Sequence, residues 1–390
     1  MAEIDTVVAG HICLDIIPPF PSTSPKEVTQ LFVPGKLLKV DQAVLCTGGA
    51  VSNTGIALSK LGVGVAYMSK VGNDEFGKII VDKMSAWGDV HGITRDDKIG
   101  SSYSVILAPP SIDRMFLHHP GCNDFFTSQD INWEIVASSR LFHFGYPPIM
   151  RALYIDDGRE MAKIFARVKA LGIATSLDMA LPDPESEAGQ WHWRKWLETV
   201  LPFVDFFVPS IEEALFLWDR LQWQALRRQG GDFVETVPIS TYSTLATNMI
   251  TLGCGAIFLK AGSRGIYAKT ASPERLAEIS ALPEKVRENW SAREYWGASF
   301  VPDKIMSAAG AGDSAVAGIL TAVLHGKSLA ETLQFGNCLG WQNLRALDTV
   351  SGIGSYEETE ALVKTLTPAS CDFLDESWTP SSYSGIWQRQ

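Results

Sequence analysis

Ser307-Ala308-Ala309-Gly310-Ala311-Gly312-Asp313-Ser314 runs without a break into Ala315–Leu324, where Val316, Ile319, Leu320, Val323 and Leu324 recur at helical spacing. Small residues let the backbone curl tightly. The amides of Gly310 to Asp313 then converge on a helix N-terminus, whose unpaired N–H groups and partial positive charge suit an anion. If that anion is a phosphoryl group in transit, the amides stabilise the charge building on it. Asp313, beside the hole, can take the proton of an attacking hydroxyl. A plain structural reading stands alongside: Asp is favoured in the first turn of any helix, and glycines occur in any loop. A rival motif does too, because Gly310, Gly312 and Ala315 fit the dinucleotide fingerprint. That fingerprint should follow a clear strand near the start of a βαβ unit. Here Val301–Met306 is a weak strand, and Asp313 would meet a pyrophosphate with the wrong sign.

Outward from this segment, strands alternate with helices. Thr6–Ala9, Val63–Val71, Leu141–Phe144, Ile173–Leu177, Val204–Val208 and Ala256–Lys260 read as strands. Helices are predicted through Ala57–Leu61, closed by Gly62, through Met161–Leu171, closed by Gly172, and through Glu213–Trp218. This order implies βαβ units and a mostly parallel sheet, with ligands outside the C-terminal strand ends. A Pro-rich loop spans Pro18–Pro25. Ser101–Ala108 and Arg114–Pro120 flank Pro109-Pro110-Ser111-Ile112-Asp113 as a hairpin, with Gly35–Val40 as its possible neighbour, together a small lid. Residues 219–237 and 271–300 read as polar, Trp- and Arg-containing insertions. The segment after 366 reads as a tail wandering over the surface.

Composition narrows the classes. Of 390 residues 46% are hydrophobic and 20% charged, enough for a sizeable core and against bulk disorder. The net charge of −11 argues against a nucleic-acid partner, which needs a basic surface. Six cysteines without CxxC or zinc spacing read as free thiols in a reducing cytosol. The N-terminus lacks a signal-peptide pattern, and no apolar run approaches the roughly 20 residues that span a bilayer, so a cytoplasmic protein without membrane contact is expected.

Two more segments carry polar groups in suitable places. Gly48-Gly49-Ala50-Val51-Ser52-Asn53 lets backbone approach a ligand closely, and Asn53 offers both donor and acceptor to hydroxyls. Asp15, after the first strand, can accept two bonds from a diol. Taken singly, the first is also a capped turn and the second a solvated loop acid. His11 reads as a packed or partly exposed histidine rather than a ligand.

Together these segments resemble the ribokinase-like, PfkB group of carbohydrate kinases. The order matches: a strand then Asp15, Gly48-Gly49 with Asn53, the turn Val71-Gly72-Asn73-Asp74-Glu75-Phe76-Gly77, the loop Leu259-Lys260-Ala261-Gly262-Ser263-Arg264-Gly265, and Gly310–Asp313. The resemblance implies a large doubly wound α/β domain over residues 1–365, a lid from about 11–18, 35–41 and 100–120, and a tail at 366–390. It implies ATP as donor, Mg2+ as helper ion and a sugar or sugar-like acceptor, with a nucleoside acceptor or a non-catalytic nucleotide- or sugar-binding regulator as alternatives. By the same resemblance Asp313 is the base, and the amides of Ala311, Gly312 and Asp313, next to Gly310, form the anion hole. Asp15, Gly48, Gly49 and Asn53 hold the acceptor; Lys260, Gly262 and Gly265 lie along the nucleotide, with Asn337 near the adenine; Glu213 organises the metal through water.

Four positions depart from the family pattern. Ser210 replaces an Asn at the phosphate and magnesium, and Ser307 replaces an Asp tied to a monovalent cation. Cys13 replaces a sugar-binding Asn, which disfavours ribose. Ala50 replaces a Lys, which disfavours a sugar-phosphate acceptor. Tyr103, Phe116 and Phe126 are candidates to stack a nucleobase. The apolar faces of the lid, with Val105, Leu107, Met115 and Leu117, predict a homodimer through it.

Overall fold

The computed structural model describes residues 4–21, 31, 33–109 and 115–389. The hairpin tip at 110–114 and much of the Pro18–Pro25 loop lie outside the described residues. In chain order the strands are β1 Thr6–Gly10, β2 Cys13–Ile17, β3 Val44–Gly48, β4 Val65–Gly72, β5 Asp89–Asp96, β6 Tyr103–Leu107, β7 Met115–His119, β8 Leu141–Gly145, β9 Ala174–Asp178, β10 Phe206–Phe207, β11 Ala256–Lys260, β12 Ile266–Thr270, β13 Glu294–Gly297, β14 Trp378–Pro380 and β15 Ile386–Arg389. Five helices frame the site: α1 Ala50–Lys60, α2 Glu75–Met84, α3 Ile211–Trp218, α4 Ala311–Leu324 and α5 Leu329–Leu344.

Eleven strands form one sheet in the order β14-β15-β13-β12-β11-β10-β9-β8-β1-β4-β5. From β5 to β11 the neighbours are parallel, and from β11 onward they are antiparallel. Side chains alternate across a strand, so β1 sends Val7 and Ala9 to one apolar layer and Val8 to the other. In β8, Phe142 and Phe144 join the first layer and Leu141 the second. Helices α4 and α5 pack within the second layer through Val316, Ile319, Leu320, Val323, Leu333 and Leu339, all fully buried. Burying each such side chain contributes about 1.5–3 kcal/mol.

A second sheet of four strands, β3-β2-β6-β7, stands beside the C-terminal ends of β1 and β8. It is the expected lid. Only His11 and Ile12 separate β1 from β2, so the first strand of the main sheet leads directly into the small one. Asp74 anchors its root: the carboxylate caps α2 at the Gly77 amide (2.7 Å) and accepts the Ser101 amide (2.8 Å) and hydroxyl (2.7 Å).

Several details differ from the sequence reading. The fourth lid strand is Val44–Gly48, not 35–41, because β2 pairs antiparallel with it, Asp15 opposite Cys46 and Cys13 opposite Gly48. Leu37, in the segment first assigned, is 93% exposed. The segment after 366 does not wander: β15 pairs with β13, and β14 with β15, so the chain's last strands extend the main sheet. Residues 219–237 carry helices at Arg220–Arg227 and Phe233–Thr236; residues 271–300 carry two helices and β13.

Candidate active site

Gly310 opens α4 with φ 77°, a left-handed conformation in which a Cβ would also lie 2.7 Å from Thr349. Both facts call for glycine. The turn places Asp313 in the first turn of α4, 5% exposed, against the N-terminal half of α1. Asn53 donates to its Oδ2 at 3.0 Å, and Thr54 reaches Oδ1 at 3.5 Å. The Tyr146 hydroxyl donates to the same Oδ1. Thr349 in turn donates to Asn53 Oδ1 at 3.1 Å, and Asn343 holds the Thr349 carbonyl at 2.7 Å. Asn53, expected on the acceptor, thus spends both ends of its amide joining the Asp313 carboxylate to Thr349. Of the three amides expected in the anion hole, that of Ala311 donates to the Ala308 carbonyl at 3.3 Å. Gly312 and Asp313 remain in the first turn, where a helix offers its N–H groups no internal partner.

Lys260, at the end of β11, points across this turn. Its Nζ would lie 3.5 Å from a Cβ on Gly312, and it donates to Asp178 Oδ1 at 2.7 Å. Burial alone would lower the Lys260 ammonium, but the carboxylates of Asp178, Glu213 and Asp313 hold it above its usual value. Burial pushes the Asp178 carboxyl up to about 7 despite Lys260 beside it, and Glu213 moves up for the same first reason. Glu213 caps its own helix: Oε2 accepts the Ser210 amide at 2.7 Å, while Ser210 Oγ accepts the Glu213 amide at 3.1 Å. Ser210, where the family has Asn, therefore serves α3. Among the described residues no group of three or more His, Cys, Asp or Glu is arranged to enclose a metal.

On the lid side, Gly49 precedes α1 with φ 87° and ψ 167°, a region essentially confined to glycine, and a Cβ there would meet His11 at 2.5 Å. Gly48 ends β3 opposite Cys13. Asp15 accepts from the Cys13 thiol at 3.3 Å; Cys13 lies 3.7 Å from Ser104 Oγ, which bonds His118 Nδ1 at 3.1 Å. Burial raises the Asp15 carboxyl. His11 is packed, 2% exposed, and neither ring nitrogen has a partner among the described residues. Its ring lies 5.2 Å from that of His118 and 6.3 Å from that of Tyr146. Burial, then His118, lowers its pKa to about 3. Of the proposed stacking residues, Phe126 is in the core, Tyr103 packs on Phe76 and His119, and Phe116 is 60% exposed.

Across the sheet, Gly262 and Gly265 form the turn between β11 and β12, both with positive φ. This loop rests on the chain's last segment. Trp296 donates to the Arg264 carbonyl at 2.7 Å, Phe373 packs edge-on against Trp296 at 5.1 Å, and the Arg264 guanidinium lies 4.9 Å above Phe373. Asn337 is buried and donates to the Gly297 carbonyl at 3.0 Å, tying α5 to β13.

The sequence reading missed Tyr146, directly after β8, and Asp178, the last residue of β9, as site residues. Neither has a local motif. Their signal is positional: both stand where parallel sheets place ligands.

The chain is similar to known proteins along most of its length. It is 23% identical to an uncharacterized sugar kinase of Archaeoglobus fulgidus, covering 72% of this chain and 92% of that one. It is 28% identical over 224 residues to fructokinase-2 of Oryza sativa subsp. japonica, covering 55% and 61%. A match at 28% to a Pyrococcus horikoshii protein spans only 54% of that protein, so several such alignments take in about half to three fifths of the relative. The Arabidopsis thaliana ribokinase complexed with ribose and ATP shares the fold, with TM-score 0.66 and 17% identity over 93% of this chain and 99% of that one. The description of the pfkB family carbohydrate kinases matches residues 6–352, and with it the strand order, the lid and the glycine-framed Asp313 find one account: this chain belongs to the PfkB family of carbohydrate kinases.

Proposed function

We propose that the chain transfers the γ-phosphoryl group of ATP to a hydroxyl of an uncharged sugar or sugar-like acceptor, with Asp313 as general base. The observation that carries this reading is the junction of α1 and α4. There a buried carboxylate meets two polar side chains of the lid-side helix, beside open helix amides and a buried lysine. Asp313 takes the acceptor's proton as its oxygen attacks. Gly312 and Asp313 amides, with Lys260, face the charge on the phosphoryl oxygens. The nucleotide lies along Gly262–Gly265 with Asn337 behind it.

The donor set fits Mg2+, which usually takes one or two carboxylates and keeps its waters and phosphates. Glu213 Oε1 and Asp178 Oδ2 are the oxygens not used in capping or pairing. When bound, the ion would neutralise phosphate charge. The chain's own residues here hold Lys260 in place and keep Glu213 at the mouth of α3.

The acceptor lies between Asp15, Gly49 and His11. The network around Asp15 is made of Cys13, Ser104 and His118, none of them cationic, and burial keeps both imidazoles neutral. An anionic acceptor would face the Asp15 carboxylate with no counter-charge in that network, so a neutral polyol fits better than a sugar acid or sugar phosphate. The unpaired nitrogens of His11 suit sugar hydroxyls. The outer lid, with Val44 52%, Phe116 60% and Leu117 59% exposed, supports pairing of two copies through it. No helix among the described residues is long and apolar enough to cross a membrane. The free thiols suit the cytosol.

The test is ADP release from Mg-ATP across a panel of sugars, sugar acids and nucleosides. Turnover on a neutral sugar, reduced about 10²–10⁴-fold in Asp313→Asn, is expected. Near-normal rates in that variant would remove Asp313 as base, and a sugar acid as sole acceptor would overturn the neutral pocket.

A further inference from the structure

Asp313 Oδ1 is claimed twice. As base it must accept the acceptor's proton, yet in this structure the Tyr146 hydroxyl already donates to it. With Asn53 on Oδ2 and Thr54 on Oδ1, three of the roughly four lone-pair positions of a carboxylate have donors. Tyr146 is held there at a conformational cost. Its φ of 72° and ψ of 43° are left-handed, unfavourable for a side chain of this size, and the following Pro147 further disfavours helical backbone at this position. Strain of this kind persists where the surroundings over-determine it and clusters at functional sites. The surroundings here are the Tyr146 amide on the Asp178 carbonyl (3.3 Å) and the His11 ring on the acceptor side.

We propose that Tyr146 is a placeholder for the acceptor hydroxyl: its phenol occupies the base until an acceptor displaces it, and so restrains transfer of the phosphoryl group to water. The proposal rests on Asp313 being the base. In the restrained reaction a water oxygen bonds to the γ-phosphorus. The β–γ bridging bond breaks with its electron pair leaving on ADP, and the water proton passes to Asp313. Tyr146 does not take that proton itself, because its hydroxyl is already the donor to Asp313 Oδ1. Its donation also weakens the carboxylate as a base. A sugar hydroxyl, held by Asp15 and His11 as well, competes with the phenol where a single water does not.

The experiment compares the full chain with Tyr146→Phe and Tyr146→Phe/Asp313→Asn. The first probe is Mg-ATP alone. ADP release without acceptor should rise roughly tenfold in Y146F, the scale of one hydrogen bond to a charged group, and vanish in the double variant. The second probe is whichever panel sugar the unaltered chain phosphorylates. Its KM should fall in Y146F, and its binding without ATP, read by calorimetry, should tighten. Unchanged hydrolysis, or weaker sugar binding, would show that the phenol contacts the acceptor instead and overturn the proposal while leaving the kinase reading intact. Turnover by the unaltered chain that survives Asp313→Asn would defeat both.

Discussion

Replacing Lys260 by Met keeps the length of the side chain and removes its charge. Lys260 and Asp178 side chains are 11% and 1% exposed, and the ion pair is 2.7 Å long. Removing one partner of such a pair leaves the other buried and uncompensated, a loss of about 3–5 kcal/mol. An unfolding entropy of about 2.1 cal/mol/K per residue over 390 residues makes this a Tm decrease of about 5 °C. The loss depends on pH with a definite sign. In the unaltered chain burial already raises Asp178 to about 7, and without Lys260 it can only rise further. Between the unfolded value of about 4 and that raised value, the folded chain binds more protons than the unfolded one, so stability grows as pH falls. K260M should therefore melt closer to the unaltered chain at pH 5 than at pH 8. Calorimetric melts at both values check this. Equal melting at pH 8, or no recovery in Asp178→Asn/Lys260→Met, would refute the assignment of Lys260 to these carboxylates.

His11→Leu removes two buried nitrogens that lack partners, so the denaturant midpoint should rise, by about 1 kcal/mol of stability, while the acceptor KM increases. A higher midpoint with unchanged KM would confine His11 to packing. Phe116→Asp places a charge on the exposed lid face, and sedimentation velocity should show it monomeric where the unaltered chain is dimeric. A monomer in both cases removes the lid interface.

Much of the main sheet was legible because its strands are short apolar runs bounded by Gly or Asp, buried on both faces. Ala256–Lys260 is an example, predicted with the bounds observed. β5, Asp-Val-His-Gly-Ile-Thr-Arg-Asp, was not, since an edge strand paired on one side keeps polar residues. The lid strand at 44–48 was misplaced because 35–41 also carries apolar residues, Leu37, Leu38 and Val40. The choice is made by pairing with β2, a contact no local window contains. The same division holds in the site. Asp313, Gly49 and Asn53 are flagged by glycines that force the backbone locally. Tyr146 and Asp178 acquire meaning only when β8 and β9 become neighbours and aim their ends at α4.

The support beneath the Gly262–Gly265 loop bears on synthesis. Tyr295 and Trp296 in β13 pair with Gln388 and Trp387, about ninety residues further along. A nascent chain that has passed α5 carries Asp313, the first-turn amides of α4 and the small sheet. Beneath the Gly262–Gly265 loop, however, the edge of β13 that β15 later covers is still open. Late pairing over such separations is slow, and an open edge invites other strands. Completion of the sheet edge beneath this loop is thus tied to the synthesis and pairing of β15 and β14, long after β13 has been made.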